Sequence, residues 1–301
     1  SNSFNLFTNF ARYFAGARPG GGTLTIRDPL INLTTLTISS ASSPAVDFGT
    51  NYTGAIPFTG IGVDLGFRES PFSLPTNFFY IDDGYNTGDL YTPLTVGNDA
   101  NNARSPLRPK RTLTNLLSTY DLDPGDTVFI DTGTNAYGVR VSPSDSDGAV
   151  GAPITFTGPT NGAVAAFRGS PGIRDGFFCT NARNIRLRSL TVRGYTNGVR
   201  AVATTSSTNN EFRGITIRSN NVCGLMFDGN AVDANRIVSN VIDSGIDGTS
   251  QDFGVYVRDG DANVIASNTI RGHGYCGVFI TNSAASNIVR WNLIRSNDLY
   301  G

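Results

Sequence analysis

Lysine, glutamate and histidine are almost missing: Lys110 is the only lysine, Glu69 and Glu211 the only glutamates, and His273 the only histidine in 301 residues. Lysine and glutamate are good helix formers, so a chain whose charge rests on arginine and aspartate is poorly suited to helices. One histidine without cysteines at ligand spacing argues against a transition-metal centre. No apolar run approaches the roughly 20 residues of a membrane span, which excludes helical membrane insertion, and no charged-then-apolar leader opens the chain. A formal net charge of −1 gives no basic field for nucleic acid. The chain begins Ser1-Asn2-Ser3, which reads as a mature product or a piece of a longer polypeptide.

What is present is glycine, 35 residues of it, spaced in a pattern. Gly176-Phe-Phe-Cys, Gly198-Val-Arg-Ala, Gly224-Leu-Met-Phe, Gly254-Val-Tyr-Val and Gly277-Val-Phe-Ile recur at intervals of 22, 26, 30 and 23 residues, and Gly301 follows 24 later. A second apolar strand keeps step: Leu190-Thr-Val192, Ile215-Thr-Ile217, Asn240-Val-Ile242, Asn268-Thr-Ile270 and Asn292-Leu-Ile294. A repeat of this length without helical period is the mark of a solenoid of short strands. Alternation along a strand puts Phe177, Val199, Leu225, Val255 and Val278 on one face with Cys179, Ala201, Phe227, Val257 and Ile280, as the core. Identical positions stack at roughly 4.8 Å, so Asn240, Asn268 and Asn292 are expected to form an asparagine ladder. Cys223 and Cys276 fall in one row, two coil steps or roughly 10 Å apart. That exceeds the roughly 7 Å reach of a disulfide, so no bridge is expected. The expected fold is all-β: a right-handed parallel β-helix, with handedness taken from the rule for parallel crossovers.

Three phrases near the start, Asp28-Pro29-Leu30-Ile31, Ser43-Pro44-Ala45-Val46-Asp47-Phe48-Gly49 and Val63-Asp64-Leu65-Gly66-Phe67-Arg68-Glu69, resemble the closing segment of bacterial extracellular parallel β-helix proteins. Asn5-Leu6-Phe7 resembles the phrase before them. That family ends with "DPLF", "SPAIDAG" and "DIGAYE" in this order. After the proline-punctuated stretch 71–78, Phe79-Tyr80-Ile81, the Asp/Asn-rich loop and Pro124-Gly125-Asp126-Thr127-Val128 resemble the opening of the same family. The resemblance implies a β-rich closing segment at 1–70 and an opening strand, loop and capping helix at 79–127. The helix is placed at 112–119, where Leu113, Leu116 and Leu117 cover the open end of coils running from 128 to 301.

An ending that precedes a beginning implies coils continued end to end, within a longer chain or between subunits. Phe4, Leu6, Phe10, Leu299, Tyr300 and Gly301 are the expected assembly contacts, with copies of the same protein as head-to-tail partners. Phe178, Met226, Tyr256 and Phe279 form an outward row suited to a glycan or a lateral neighbour, or to cover by the chain's own loops. Arg193, Arg218, Arg271 and Arg295, interrupted by Asp243, form a second row that either grips an acidic polysaccharide or pairs locally with aspartates. For polysaccharide lyase or glycoside hydrolase chemistry the best cluster is Asp228, Asp259 and Asp261 with Arg258, although Asp-Gly also occurs wherever a coil turns. Asp82, Asp83, Asp89 and Asp99 make an oxygen-rich loop that suits calcium, and solvated turn carboxylates account for it equally; no other cofactor is implied. The first expectation is therefore a structural protein of the cell surface or extracellular space, forming a filament or array, ahead of a carbohydrate-active enzyme or a glycan-binding adhesin.

Overall fold

The computed structural model describes residues 78–135, 138–142, 147–169, 173–245 and 251–298, with four two-residue strands before them. The chain divides into two units, Ser1–Thr76 and Asn77–Gly301. In the first, Leu6–Phe7 pairs in parallel with Leu24–Thr25, and Ile31–Asn32 pairs antiparallel with Thr37–Ile38. The phrases around Ser43 and Val63, and the expected contacts Phe4, Phe10, Leu299, Tyr300 and Gly301, lie outside the described residues.

The second unit is a parallel β-helix with three sheets. A six-stranded sheet runs through Val139–Val141, Asp175–Thr180, Asn197–Val202, Cys223–Asp228, Phe253–Arg258 and Cys276–Thr281. These later strands are the glycine repeat, in the expected register: Phe177, Val199, Leu225, Val255 and Val278 pair in sequence. A seven-stranded sheet holds the second repeat, from Gly133–Asn135 to Leu293–Arg295. The third, eight-stranded sheet runs from Phe78–Ile81 and Thr127–Ile130 to Ile288–Arg290, so each coil has three strands, one more than the two repeats anticipate.

The strands are three to six residues long because each coil turns sharply between them. A residue in the left-handed region makes the turn: Ser189, Ser239 and Ser267 have φ of 52°, 58° and 56°. Such a conformation costs free energy in non-glycine residues and persists where the neighbours fix it. After Ser239 and Ser267 the next residue, an asparagine, does so. Asn240 Nδ2 donates to Phe212 O at 3.0 Å and to Asn268 Oδ1 at 2.9 Å, while its own Oδ1 accepts from Ile215 N at 3.0 Å. Asn268 repeats the pattern onto Asn292. The expected ladder is present, and it satisfies backbone groups that the turn would leave unpaired inside the protein.

The interior is apolar and aromatic. Phe156 and Phe177 meet edge to face with centroids 5.6 Å apart, and Phe212 packs on Phe227 at 5.8 Å. Cys179, Cys223 and Cys276 are buried and free, with Phe253 between the last two in the sheet. At the first coil the helix Leu113–Thr119 buries Leu113, Leu116 and Leu117, and Thr112 is its N-cap, accepting from Asn115 N at 3.2 Å. The Asp99 carboxylate accepts from Thr112 N at 2.9 Å, and the buried Lys110 ammonium donates to Asp99 O at 2.9 Å and to Asn115 Oδ1 at 2.7 Å. The only lysine thus ties the Asp/Asn-rich loop to the capping helix.

Candidate functional site

On the outer face of the six-stranded sheet, Arg140, Phe178, Arg200, Met226, Tyr256 and Phe279 form one row. Its two halves differ. In the first, the Arg140 and Arg200 guanidinium groups each lie 5.7 Å from the Phe178 ring centroid. In the second, Tyr256 stacks on Phe279 with centroids 5.4 Å apart and planes 18° apart, and Phe253 stacks on both at 5.1 and 5.5 Å. Rings stacked along the coil axis spend their faces on each other and turn their edges outward. A sugar stacks on ring faces, so this half is built as a seam in the sheet more than as a sugar platform.

Beside the row lies an ion cluster. Asp228, buried at the end of its strand, accepts from Arg200 Nη2 at 2.8 Å, from Arg258 Nε at 2.7 Å and from Arg258 Nη2. Arg200 Nη1 also lies 3.7 Å from Asp175 Oδ2. Burial would raise the Asp228 carboxyl, but the hydrogen bonds from Arg200 and Arg258 outweigh it and hold it below the ordinary range. Asp259 and Asp261 have other partners. Asp259 accepts from Ser283 N at 3.1 Å and Asp261 from Ala285 N at 2.6 Å, each closing a turn of the next coil. The three carboxylates and Arg258 are thus occupied separately, Asp228 by guanidinium groups, Asp259 by a backbone amide and the Asn282 side chain, and Asp261 by a backbone amide. In the second row Arg271 Nη2 lies 2.7 Å from Asp243 Oδ2, which is local pairing on neighbouring coils.

The acidic loop is assembled differently from its sequence order. Asp99 belongs to the helix cap, and its place near Asp82, Asp83 and Asp89 is taken by Asp131, which the sequence reading did not single out. The buried Asp131 accepts from Leu90 N at 2.8 Å and from Tyr91 N and Thr92 N at 2.6 Å, while its own N–H donates to Ile81 O at 2.8 Å. Asp83 accepts from Tyr85 N and Thr134 N. Asp82 and Asp89 have no hydrogen-bond partner at any carboxylate oxygen, and those oxygens are buried. Burial and the charge of Asp89, with those of Asp131 and Asp83, outweigh a poorly aligned approach of the Asp83 backbone N–H and push Asp82 up to about 7; burial with Asp131 and Asp83 pushes Asp89 up to about 6. Among the described residues no group of three or more His, Cys, Asp or Glu side chains is placed to hold a metal ion.

Two further ladders escaped the sequence reading. Asn210, Asn235, Asn263 and Asn287 link successive coils through amide side chains, with Asn210 N donating to Asn235 Oδ1 and Asn235 N to Asn263 Oδ1, both at 2.9 Å. The signal was an asparagine five residues before each member of the expected ladder. At the third corner the row is mixed: Asn220 N–H donates to Gln251 Oε1 at 3.4 Å, Gln251 Nε2 lies 3.3 Å from His273 Nδ1, and His273 N–H donates to Asn297 Oδ1 at 3.1 Å.

Residues 126–301 match the family described as periplasmic copper-binding protein (NosD). The chain belongs to the NosD family. The described coils do not fit copper, however. His273 is buried in an amide row, and Cys223 and Cys276 donate their thiols to Leu225 O and Val278 O within their own strands. Burial also pushes the Cys179 thiol up to about 12 and raises Cys276, which keeps the protonated form that does not ligate. Comparison with curated proteins found no match. Among solved structures, pectate lyase Pel9A is similar over 73% of this chain and 56% of its own, at 16% identity and a TM-score of 0.54. A rhamnogalacturonan lyase is similar at 16% identity and a TM-score of 0.45, over 72% of this chain and 62% of its own. An alginate lyase from Paenibacillus sp. str. FPU-7 is similar at 16% identity and 0.41, over 60% of this chain and 72% of its own. The matched part thus spans little more than half of the pectate lyase, and the likeness shows the parallel β-helix alone.

Proposed function

We propose that the chain is a structural module of an assembly outside the cytoplasm, joined to its neighbour by continuing the β-helix end to end. The observation that carries this is the order along the chain: phrases that resemble a closing segment, Asp28-Pro29-Leu30-Ile31 and Ser43-Pro44-Ala45-Val46-Asp47-Phe48-Gly49, come before the strand Phe78–Ile81 and the helix Leu113–Thr119 that open the β-helix. A solenoid coil is stabilised by what stacks on it, so a closing segment at 1–70 suits the last coil of a preceding or neighbouring β-helix. The family's description as periplasmic supports a place outside the cytoplasm. Among the described residues no helix is long and apolar enough to cross a membrane.

A non-catalytic reading is favoured over a lyase or hydrolase because the candidate carboxylates are already engaged, Asp228 by two arginines. The Phe178, Met226, Tyr256 and Phe279 row serves in this reading as a lateral seam. Electron microscopy of the native protein at micromolar concentration tests the proposal. End-to-end chains are expected, with single particles after deletion of residues 1–70. Single particles of the unaltered protein at every concentration, or chains indifferent to the deletion, would overturn it.

A further inference from the structure

We propose that Asp82 and Asp89 hold one hard divalent cation of the calcium class at the capped end of the β-helix. The proposal does not depend on end-to-end assembly. It starts from Asp82, which is 1% exposed and has neither carboxylate oxygen hydrogen bonded. Buried polar side chains nearly always find partners, and a buried carboxylate without one leaves a large desolvation cost uncompensated. Asp89 presents two more buried oxygens in the same condition.

The fold brings this pair together through Asp131. Its backbone N–H holds Ile81 O, next to Asp82, and its carboxylate collects the amides of Leu90, Tyr91 and Thr92, next to Asp89. Asp131 and Asp83 have filled their oxygens with backbone donors and act as a fixed negative field around the open pair. Gly133, at φ 127°, is what lets Asp83 lie there, because a Cβ at that position would stand 2.1 Å from Asp83 Oδ2. Three of the four carboxylates, Asp82, Asp83 and Asp131, line a cavity with one cation, Arg111, and the charge of Asp89 acts on Asp82. The cavity between Asp82, Asp83, Ile130, Asp131 and Arg111 measures about 10 Å3. That is about the room one water or one ion occupies.

Two carboxylates do not make a set of three, and calcium does not require one. It takes about 6 to 8 oxygens, with carbonyls and water completing an irregular shell, whereas magnesium demands near-ideal octahedral geometry. Four open carboxylate oxygens on a turn-rich loop match the first ion better than the second.

Thermal melts of the whole chain at pH 8, with EDTA or with millimolar calcium chloride, test the inference. Calcium is expected to raise Tm by about 5 °C, with a smaller rise for magnesium. Asp82→Asn and Asp89→Asn should each abolish the calcium shift. Asp89→Asn lies in the loop and keeps the test open should the buried Asp82→Asn fail to fold. Terbium luminescence excited through tyrosine, displaced by calcium in the unaltered protein and absent in both variants, would place the ion beside Tyr91. Absence of a calcium shift, or a shift retained in either variant, would overturn the proposal. So would Asn variants that gain as much Tm without calcium as expected with it while calcium leaves the unaltered protein unchanged, since protons would then be what the pair holds.

Discussion

Between Asp175 and Asp298 a buried amide side chain finds its partner one coil away; between Phe78 and Asn135 each buried polar group needs a partner made for it alone. The ladder of Asn240, Asn268 and Asn292 repeats the same two or three bonds at every step. Lys110 bonds Asp99 O and Asn115 Oδ1, a set that occurs once. Translation makes the coils self-consistent, because a sequence that satisfies one coil satisfies the next. The cap has no such economy, and there both oxygens of Asp82 and of Asp89 remain open, whereas in the coils single atoms such as His273 Nε2 and Asn297 Nδ2 do. What the difference teaches is where to look for function in a solenoid: where the repeat stops.

The change expected to disturb the comparison most is Leu116→Ala. Leu116 is fully buried and belongs to the one helix among the described residues, which no repeat duplicates there. A cavity there should cost about 3–5 kcal/mol in urea unfolding. A loss under about 1 kcal/mol would mean that the capping helix is an ornament and the coils stand without it. Next comes Asn240→Ala, in the middle of a ladder. It strands Ile215 N and Phe212 O inside the protein, for a loss of about 2–4 kcal/mol. Hydrogen exchange should then quicken at Ile215 on one side and at the strand Val241–Asp243 on the other while the capping helix stays protected. Uniform quickening throughout would show that cap and coils unfold as one unit.

The coils were legible because two periods drift together, glycine with its core strand and the Leu190-Thr-Val192 type of strand. Each core residue could be assigned to a face, and the registers of Phe177 through Val278 follow that assignment. The third strand was harder. In Glu211–Arg213 and Arg236–Val238 one buried residue sits between two that are exposed or half-buried, too short a run for alternation to show. Only the paired asparagines, five apart, announce it. The cap yielded its helix, because Leu113, Leu116 and Leu117 have helical spacing, but not its carboxylates. Asp99 and Asp131 exchanged roles because chain proximity put the first with Asp82, whereas strand pairing of Phe78–Ile81 with Thr127–Ile130 put the second there. Phe178, Met226, Tyr256 and Phe279 share one row of the sheet, yet its chemistry depends on ring orientation, which one-dimensional spacing does not contain.

His273 offers the finest test of whether a coil corner accepts any rung. It stands where the coils before and after it have Gln251 and Asn297, is fully buried, and has its Nε2 unbonded. Burial holds the imidazole down at about 4, well under the ordinary value of 6.5. The unfolded chain therefore binds a proton between pH 6.5 and 4 that the folded chain refuses, and stability from this group is complete above pH 6.5 and drains away as pH falls through that window. His273→Asn keeps an amide at the corner and removes the titration. At pH 8 its Tm should lie close to that of the unaltered protein, and the difference should move in favour of the variant as pH is lowered from 6.5 to 4. Carboxyl groups elsewhere titrate in both proteins and cancel in that difference. Parallel melting curves across the window would mean that the corner relaxes to admit the charged ring, in which case the amide row is held by the strands around it and not by its own bonds.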